Sequence, residues 1–174
     1  FGDSEEPFDH VACRKELDHG YYAWAHEQGS DFVRAYIEFE YNLSNMLTFM
    51  VQRDTGMEKP TEGIAGENHF TRHLFESGGK NLVKDHDFEQ FDAIASIAGS
   101  QKLADAEMAY DRLRWDVIET LTRFEYFTAE VVMAYMQKLI LLSRWAGMTV
   151  EAGKETLLST VDQALGDALK HAEA

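Results

Sequence analysis

LADAEMAYDRLRWDVIETLTRF, residues 103–124, is the stretch that decides the fold class. Within it Leu103, Ala106, Tyr110, Leu113, Val117, Leu121 and Phe124 recur at intervals of three and four. A helix returns to the same face every 3.6 residues, so this spacing lays these side chains along one stripe. A strand needs alternation at every second residue, and Val, Ile and Thr sustain that pattern nowhere in the chain. The spacing therefore predicts a helix of about 20 residues. The next segment, 128–145, carries Val131, Val132, Tyr135, Met136, Leu139, Ile140, Leu142 and Trp145. That apolar arc is wider than one stripe and predicts a helix buried on more than one side. Together the two segments predict a long C-terminal helical hairpin at the centre of a bundle. Leu139 is then a packed site whose truncation to Ala costs about 2–5 kcal/mol.

The same periods extend toward the N-terminus. Phe32, Tyr36, Phe39, Leu43, Met46/Leu47 and Met50 mark one face of a helix running to about Arg53. Gly29-Ser30-Asp31 supplies a stop and then an N-cap before it, and Asp54-Thr55-Gly56 ends it. Residues 54–66 form the main loop. Short helices are predicted over 67–76 and 88–98, the second capped by Asp87 with Gln90 at capping-box spacing. A first helix over 10–26 has a looser stripe of Val11, Leu17, Tyr21 and Trp24 or Ala25, and Gly20 weakens it by about 1 kcal/mol. After Gly147, Thr149 is placed to cap a last helix. Its stripe of Leu158, Val161, Leu165 and Leu169 is narrow, which suits the outside of a bundle. With only 2 prolines and clustered glycines, the chain reads as all-α: a bundle of about six to seven helices in a single domain over 1–174.

Charge narrows the function classes. Asp+Glu total 31 against 16 Lys+Arg, a formal net charge of -15. A field of that sign repels phosphate backbones and anionic lipid, arguing against nucleic-acid partners and a polybasic membrane anchor. The longest apolar stretches are interrupted by Gln137, Lys138 and Arg144, so no membrane insertion is expected. The expected setting is cytoplasmic. Cys13 has no second cysteine to pair with and reads as a small apolar filler. Phe1–Asp9 is an acidic lead-in, and a start at Phe1 leads us to expect further residues upstream.

Motifs for catalysis are scarce. His69 and His73, at i and i+4, share a helix face, and Glu67 stands nearby, but a zinc site needs a further ligand and no HExxH or Cys pair supplies it. Asp85-His86-Asp87 resembles an acid/base cluster, although Asp87 is better placed as a cap. Di-metal carboxylate bundles need Glu-x-x-His motifs on two helices, and neither 103–123 nor 128–145 contains a His. No phosphate loop, dinucleotide fingerprint or nucleophile elbow occurs. No catalytic, cofactor-binding or metal residue is therefore expected, and no cofactor. What stands out is aromatic. Trp115, Phe124, Tyr126, Phe127, Tyr135 and Trp145 lie in or between the two best helices, beside Arg114, Arg123 and Arg144. Such residues either fill a hairpin core or form an exposed interface surface, and periodicity allows both.

Several of these segments carry a resemblance. Leu113-Arg114-Trp115, Leu121-Thr122-Arg123-Phe124-Glu125-Tyr126-Phe127-Thr128, Ala134-Tyr135-Met136-Gln137-Lys138-Leu139 and Arg144-Trp145 resemble the C-terminal half of the bacterial family DUF2764. Phe39-Glu40-Tyr41-Asn42-Leu43-Ser44-Asn45-Met46-Leu47 is similar to that family's "FELNLxNxL" helix. Ile64-Ala65-Gly66-Glu67-Asn68 is similar to its "I-x-G-[DN]-[NE]" turn. The likeness runs from about Leu17 to about Val161 and departs at the front, where a Tyr-rich segment of the family is absent. Members are encoded beside V/A-type ATPase subunits and are sometimes described as subunit-C-like. The resemblance implies a non-catalytic interaction subunit partnered by central-stalk or membrane-ring components, peripheral to the inner membrane through that complex. Two other readings stand beside it: a small helical metal-binding protein or enzyme using Glu67, His69 and His73, and a transient assembly factor of the ATPase.

Overall fold

The second helix organises the structure. In a computed structural model that describes residues 10–56, 68–76, 88–100 and 102–172, the elements are α1 (His10–Gln28), α2 (Asp31–Asp54), α3 (His69–Glu76), α4 (Phe91–Ala98), α5 (Leu103–Thr122), α6 (Ala129–Ala146) and α7 (Val150–Ala172), with no strand among the described residues. The protein is all-α, as the periodicity predicts. It divides into two compact units, residues 1–131 and 132–174.

In the first unit, α2 touches α1, α3 and α5, while α4 rests on α5. Phe32, Tyr36, Phe39, Leu43, Met46 and Phe49 are all buried, at the helical intervals that make one stripe. Ile118 and Val117 of α5 and Ile94 of α4 continue the same core. Helix ends follow the local chemistry. The Ser30 hydroxyl accepts the Val33 N–H at 3.5 Å, a long N-cap bond. At the other end the Thr55 hydroxyl donates to the Val51 carbonyl at 3.0 Å. Gly56 then takes φ +80, the left-handed conformation that ends helices at little cost only in glycine. Gly29 has a different task. A Cβ there would stand 2.3 Å from the Ala25 carbonyl oxygen, so only glycine lets α1 run this closely into α2. In the second unit, Thr149 caps α7 as expected, accepting the Ala152 N–H at 3.1 Å.

Three expectations need correction. The stripe foreseen on α1 is displaced: Leu17, Tyr21 and Trp24 are exposed, and the packed face runs through Asp18, Tyr22 and Ala25. There the Tyr41 hydroxyl donates to the Asp18 carbonyl, and the Tyr22 and Tyr41 rings meet edge-on at 4.7 Å. Helix α4 begins at Phe91, with Gln90 at its N-cap position, and not at Phe88; the expected cap, Asp87, lies outside the described residues. The Phe91 N–H instead closes a turn on the Phe88 carbonyl at 3.1 Å. That turn buries Phe88 against Phe70, with ring centroids 4.8 Å apart. The largest correction concerns the centre of the core. Segment 128–145 was expected there, yet Ala134 is its one buried residue, against nine on α2. A wide apolar arc says which sides of a helix avoid water, and leaves open what covers them.

Truncations should sort accordingly. Leu43 is 0% exposed and Leu139 is 45% exposed. Leu43→Ala is expected to cost about 2–5 kcal/mol, and Leu139→Ala in dilute protein less than about 1 kcal/mol. Urea unfolding of the two variants checks the order.

Candidate interaction site

Two groups of polar side chains inside the first unit look like chemistry and serve architecture. On α2 and α5, Arg114 donates from Nε to both oxygens of Glu40, at 2.9 and 3.2 Å. Its NH1 donates to Asp111 at 2.9 Å, and Asp111 is itself buried. Burial alone would lower the Arg114 pKa, but the Glu40 and Asp111 carboxylates outweigh it and hold the guanidinium above its ordinary value. The Tyr36 hydroxyl donates to Glu40 at 2.7 Å. Burial first, and the Glu40 charge second, push that phenol well above its usual range, so it stays neutral. A fixed cation, its two carboxylates and a phenol that keeps its proton make a tie between helices.

The second group is made of amides. Asn68 Nδ2 donates to Asn42 Oδ1 at 2.7 Å. Asn68 Oδ1 accepts the Thr71 N–H at 2.8 Å and the Thr71 hydroxyl at 2.9 Å. Asn45 Nδ2 donates to the Thr71 hydroxyl oxygen at 3.2 Å. Asn68 is thus the N-cap of α3 while its amide bonds to α2. Asn42, Asn45 and Thr71 are all buried, where an unpaired amide would be costly, so the set fixes how α3 sits on α2. Asn42 and Asn45 interrupt the apolar stripe between Phe39 and Met46, a signal legible in the sequence and missed there.

Of the candidate metal ligands, His69 and His73 lie on α3 with ring centroids 6.3 Å apart and planes turned 52°. Glu67 lies outside the described residues, as do Asp85 and His86. Among the described residues no three His, Cys, Asp or Glu converge as metal ligands do. Cys13, expected as an apolar filler, is exposed; it lies off the α1 face that packs on α2.

A pocket of about 600 Å³ lies in the first unit. Ser30, Asp31, Phe32, Arg34 and Ala35 of the α2 entry line one wall, and Leu121, Glu125 and Glu130 the other. Arg34 is tied down: its NH1 donates to the Gly29 carbonyl at 2.8 Å and its NH2 pairs with Asp31. Glu130 stands in the first turn of α6, and bonding to its own backbone N–H holds its carboxyl below the usual carboxylate range. Three carboxylates against one already engaged guanidinium leave the pocket negative and ready for a cation.

Beside the pocket the α5–α6 link resolves the aromatic question for part of the set. Phe124 is 84%, Tyr126 74% and Phe127 106% exposed. Phe127 holds φ 59, the left-handed region that bulky residues avoid at a cost of about 1–2 kcal/mol. Tyr135 is exposed too. Trp115 is half-buried and donates from Nε1 to Glu119 at 2.9 Å. Trp145 is half-buried with the Arg144 guanidinium 5.8 Å from its ring centroid. The aromatics of this link are legible in the sequence, whereas no local pattern announces that Asp31 and Arg34 fold back beside it.

The family model for DUF2764, protein of unknown function, matches residues 3–167 of the chain. The chain belongs to that family. No curated protein and no solved structure matches it.

Two outcomes follow. Arg114→Ala leaves Asp111 buried without its cation and is expected to destabilise by about 3 kcal/mol, whereas Arg114→Met with both Glu40→Gln and Asp111→Asn recovers much of that loss; thermal and urea unfolding measure both. Protein purified without chelator or His-tag is expected to hold well under a stoichiometric amount of metal. Stoichiometric zinc or iron that His73→Ala removes contradicts this.

Proposed function

We propose that this DUF2764 protein is a non-catalytic interaction subunit, or subunit-C-like accessory, of a V/A-type rotary ATPase. The observation that carries an interaction role is the negative pocket flanked by three exposed aromatic side chains. Rings in such numbers are what interfaces use as anchors, and they are costly to leave in water without a partner. The ATPase itself comes from the resemblance of the 39–47, 64–68 and 113–145 segments. The partner surface is then basic: a Lys- or Arg-bearing stretch of stalk or ring subunit entering between Asp31, Glu125 and Glu130, with Phe124, Tyr126 and Phe127 packing around it. No helix is long and apolar enough to cross a membrane among the described residues. A cytoplasmic protein held at the membrane periphery by its complex fits that finding.

Charge and rings should act on different steps. Complementary charge speeds encounter, while desolvated anchors slow escape. Purified protein is mixed with isolated central-stalk and ring subunits, and association is followed at low and high salt. Glu125→Lys with Glu130→Lys is expected to slow association about tenfold at low salt, with a smaller change in dissociation. Phe127→Gly should speed dissociation about tenfold while leaving the melting temperature equal or higher, because glycine relieves the left-handed strain. If no ATPase subunit binds under any condition and none co-purifies from the native host, the proposal fails.

A further inference from the structure

The second unit carries a different kind of surface. Of the net -15, residues 132–174 hold four basic and five acidic side chains, or -1, which leaves -14 on residues 1–131. The chain is therefore strongly acidic over one unit and nearly neutral over the other. On α6, Val132, Tyr135, Met136, Leu139, Ile140 and Leu142 are all exposed, from 45% to 62%. At 100° per residue they fall within one arc of about 160°. Only Ser143 and Ala146 share that arc to the end of the helix, so no charged side chain interrupts it. The Ser143 hydroxyl is already bonded to the Ile140 carbonyl at 2.8 Å, so it makes little demand for water. The opposite side holds buried Ala134 and half-buried Lys138, Leu141 and Trp145. The exposed arc is thus a distinct face and not the general condition of the helix.

Side chains of this size, about half exposed, present on the order of 600 Å² of apolar surface. That is at the upper end of the largest patch usual on a monomer, about 300–600 Å², and approaches the roughly 800 Å² that each partner contributes to a standard interface. An uncharged face has nothing to offer a basic partner. What it fits is another face without charge, and one is present at equal concentration on every copy of the chain. The sequence also supplies a register. In an antiparallel pair centred on Leu139, Tyr135 of one copy lies opposite Ser143 of the other, Val132 opposite Ala146, and Met136 opposite Leu142. Tyr135 then meets the small Ser143 and Val132 the small Ala146, as interdigitation requires, while Leu139 and the Met136–Leu142 pairs fill the middle of the contact. A parallel pair would set Tyr135 against Tyr135 and leave Ser143 facing Ser143 across a gap.

We infer that α6 pairs with α6 of a second copy, antiparallel about Leu139, so that the protein is a two-fold homodimer joined through its near-neutral unit. This inference is independent of the ATPase reading, because it is tested on the purified chain alone.

Sedimentation of the full chain from low micromolar to about 100 μM is expected to show a monomer–dimer equilibrium. Leu139→Glu should weaken it at least about tenfold while circular dichroism and melting temperature stay as in the parent. Cross-linking sets the orientation in a Cys13→Ser background. Tyr135→Cys with Ser143→Cys should form an intermolecular disulfide, whereas Ser143→Cys alone should not. A monomer at every concentration overturns the inference. So does a dimer indifferent to Leu139→Glu, which places the contact elsewhere. A monomer that Leu139→Glu destabilises shows the face covered by its own chain, and one that loses ATPase-subunit binding shows it covered by that partner; either result overturns the homodimer. Disulfide formation by Ser143→Cys alone overturns the antiparallel register.

Discussion

The Arg114 guanidinium, held between Glu40 on α2 and Asp111 on α5, is the constraint on which the first unit depends. Apolar packing is tolerant of small slides and rotations, because one Leu contact resembles the next. A fork of charge-assisted hydrogen bonds is not, since its strength falls away with distance and angle. The Glu40–Arg114 pair therefore sets which turn of α2 faces which turn of α5, and Phe39, Leu43 and Ile118 pack within that choice. Charges so placed gain little net free energy over an apolar pair of the same shape, and their role here is to fix register.

The amides of Asn42, Asn45, Asn68 and Thr71 do the same between α2 and α3. Both asparagines of the 39–47 segment and Asn68, the last residue of the 64–68 motif, belong to this set. These segments carry much of the likeness to DUF2764, so the polar letters that mark the family are, in this chain, joints of the scaffold. That explains why they name no reaction. Glu40, Asp111 and Arg114, like the amides, are occupied in holding helices together, and the pocket of the first unit is acidic with exposed aromatics beside it.

How much was legible in the sequence follows from what periodicity measures. The stripe of α2, the middle of the α5 stripe from Ala106 to Val117, the Ser30 and Thr149 caps and the stop at Gly56 were readable, because each depends on residues a few positions apart; Leu103 and Phe124, at the ends of the α5 stripe, are exposed. Helix α6 was readable as a helix and not as a surface: its arc of Val132, Tyr135, Leu139 and Ile140 is the same whether protein or water lies outside it. The start of α4 was misplaced because Phe88 belongs to a turn packed on Phe70, a contact between positions distant in sequence. The pocket was illegible for the same reason. Asp31 and Arg34 meet Glu125 and Glu130 only once α5 has returned alongside α2, while Phe124, Tyr126 and Phe127 gave only the hint of an aromatic link.

The resulting account has a rigid core built on α2 and two outward surfaces, the acidic aromatic pocket and the uncharged face of α6. Native-state hydrogen exchange on dilute protein tests that division most directly, since it ranks segments by the free energy needed to open them. The account predicts the slowest exchange in α2 around Leu43 to Phe49 and in α5 around Val117 and Ile118, with much faster exchange in the link at 123–128 and along α6. Amides of α6 exchanging as slowly as those of α2 would contradict it, and would return that helix to the centre of the core.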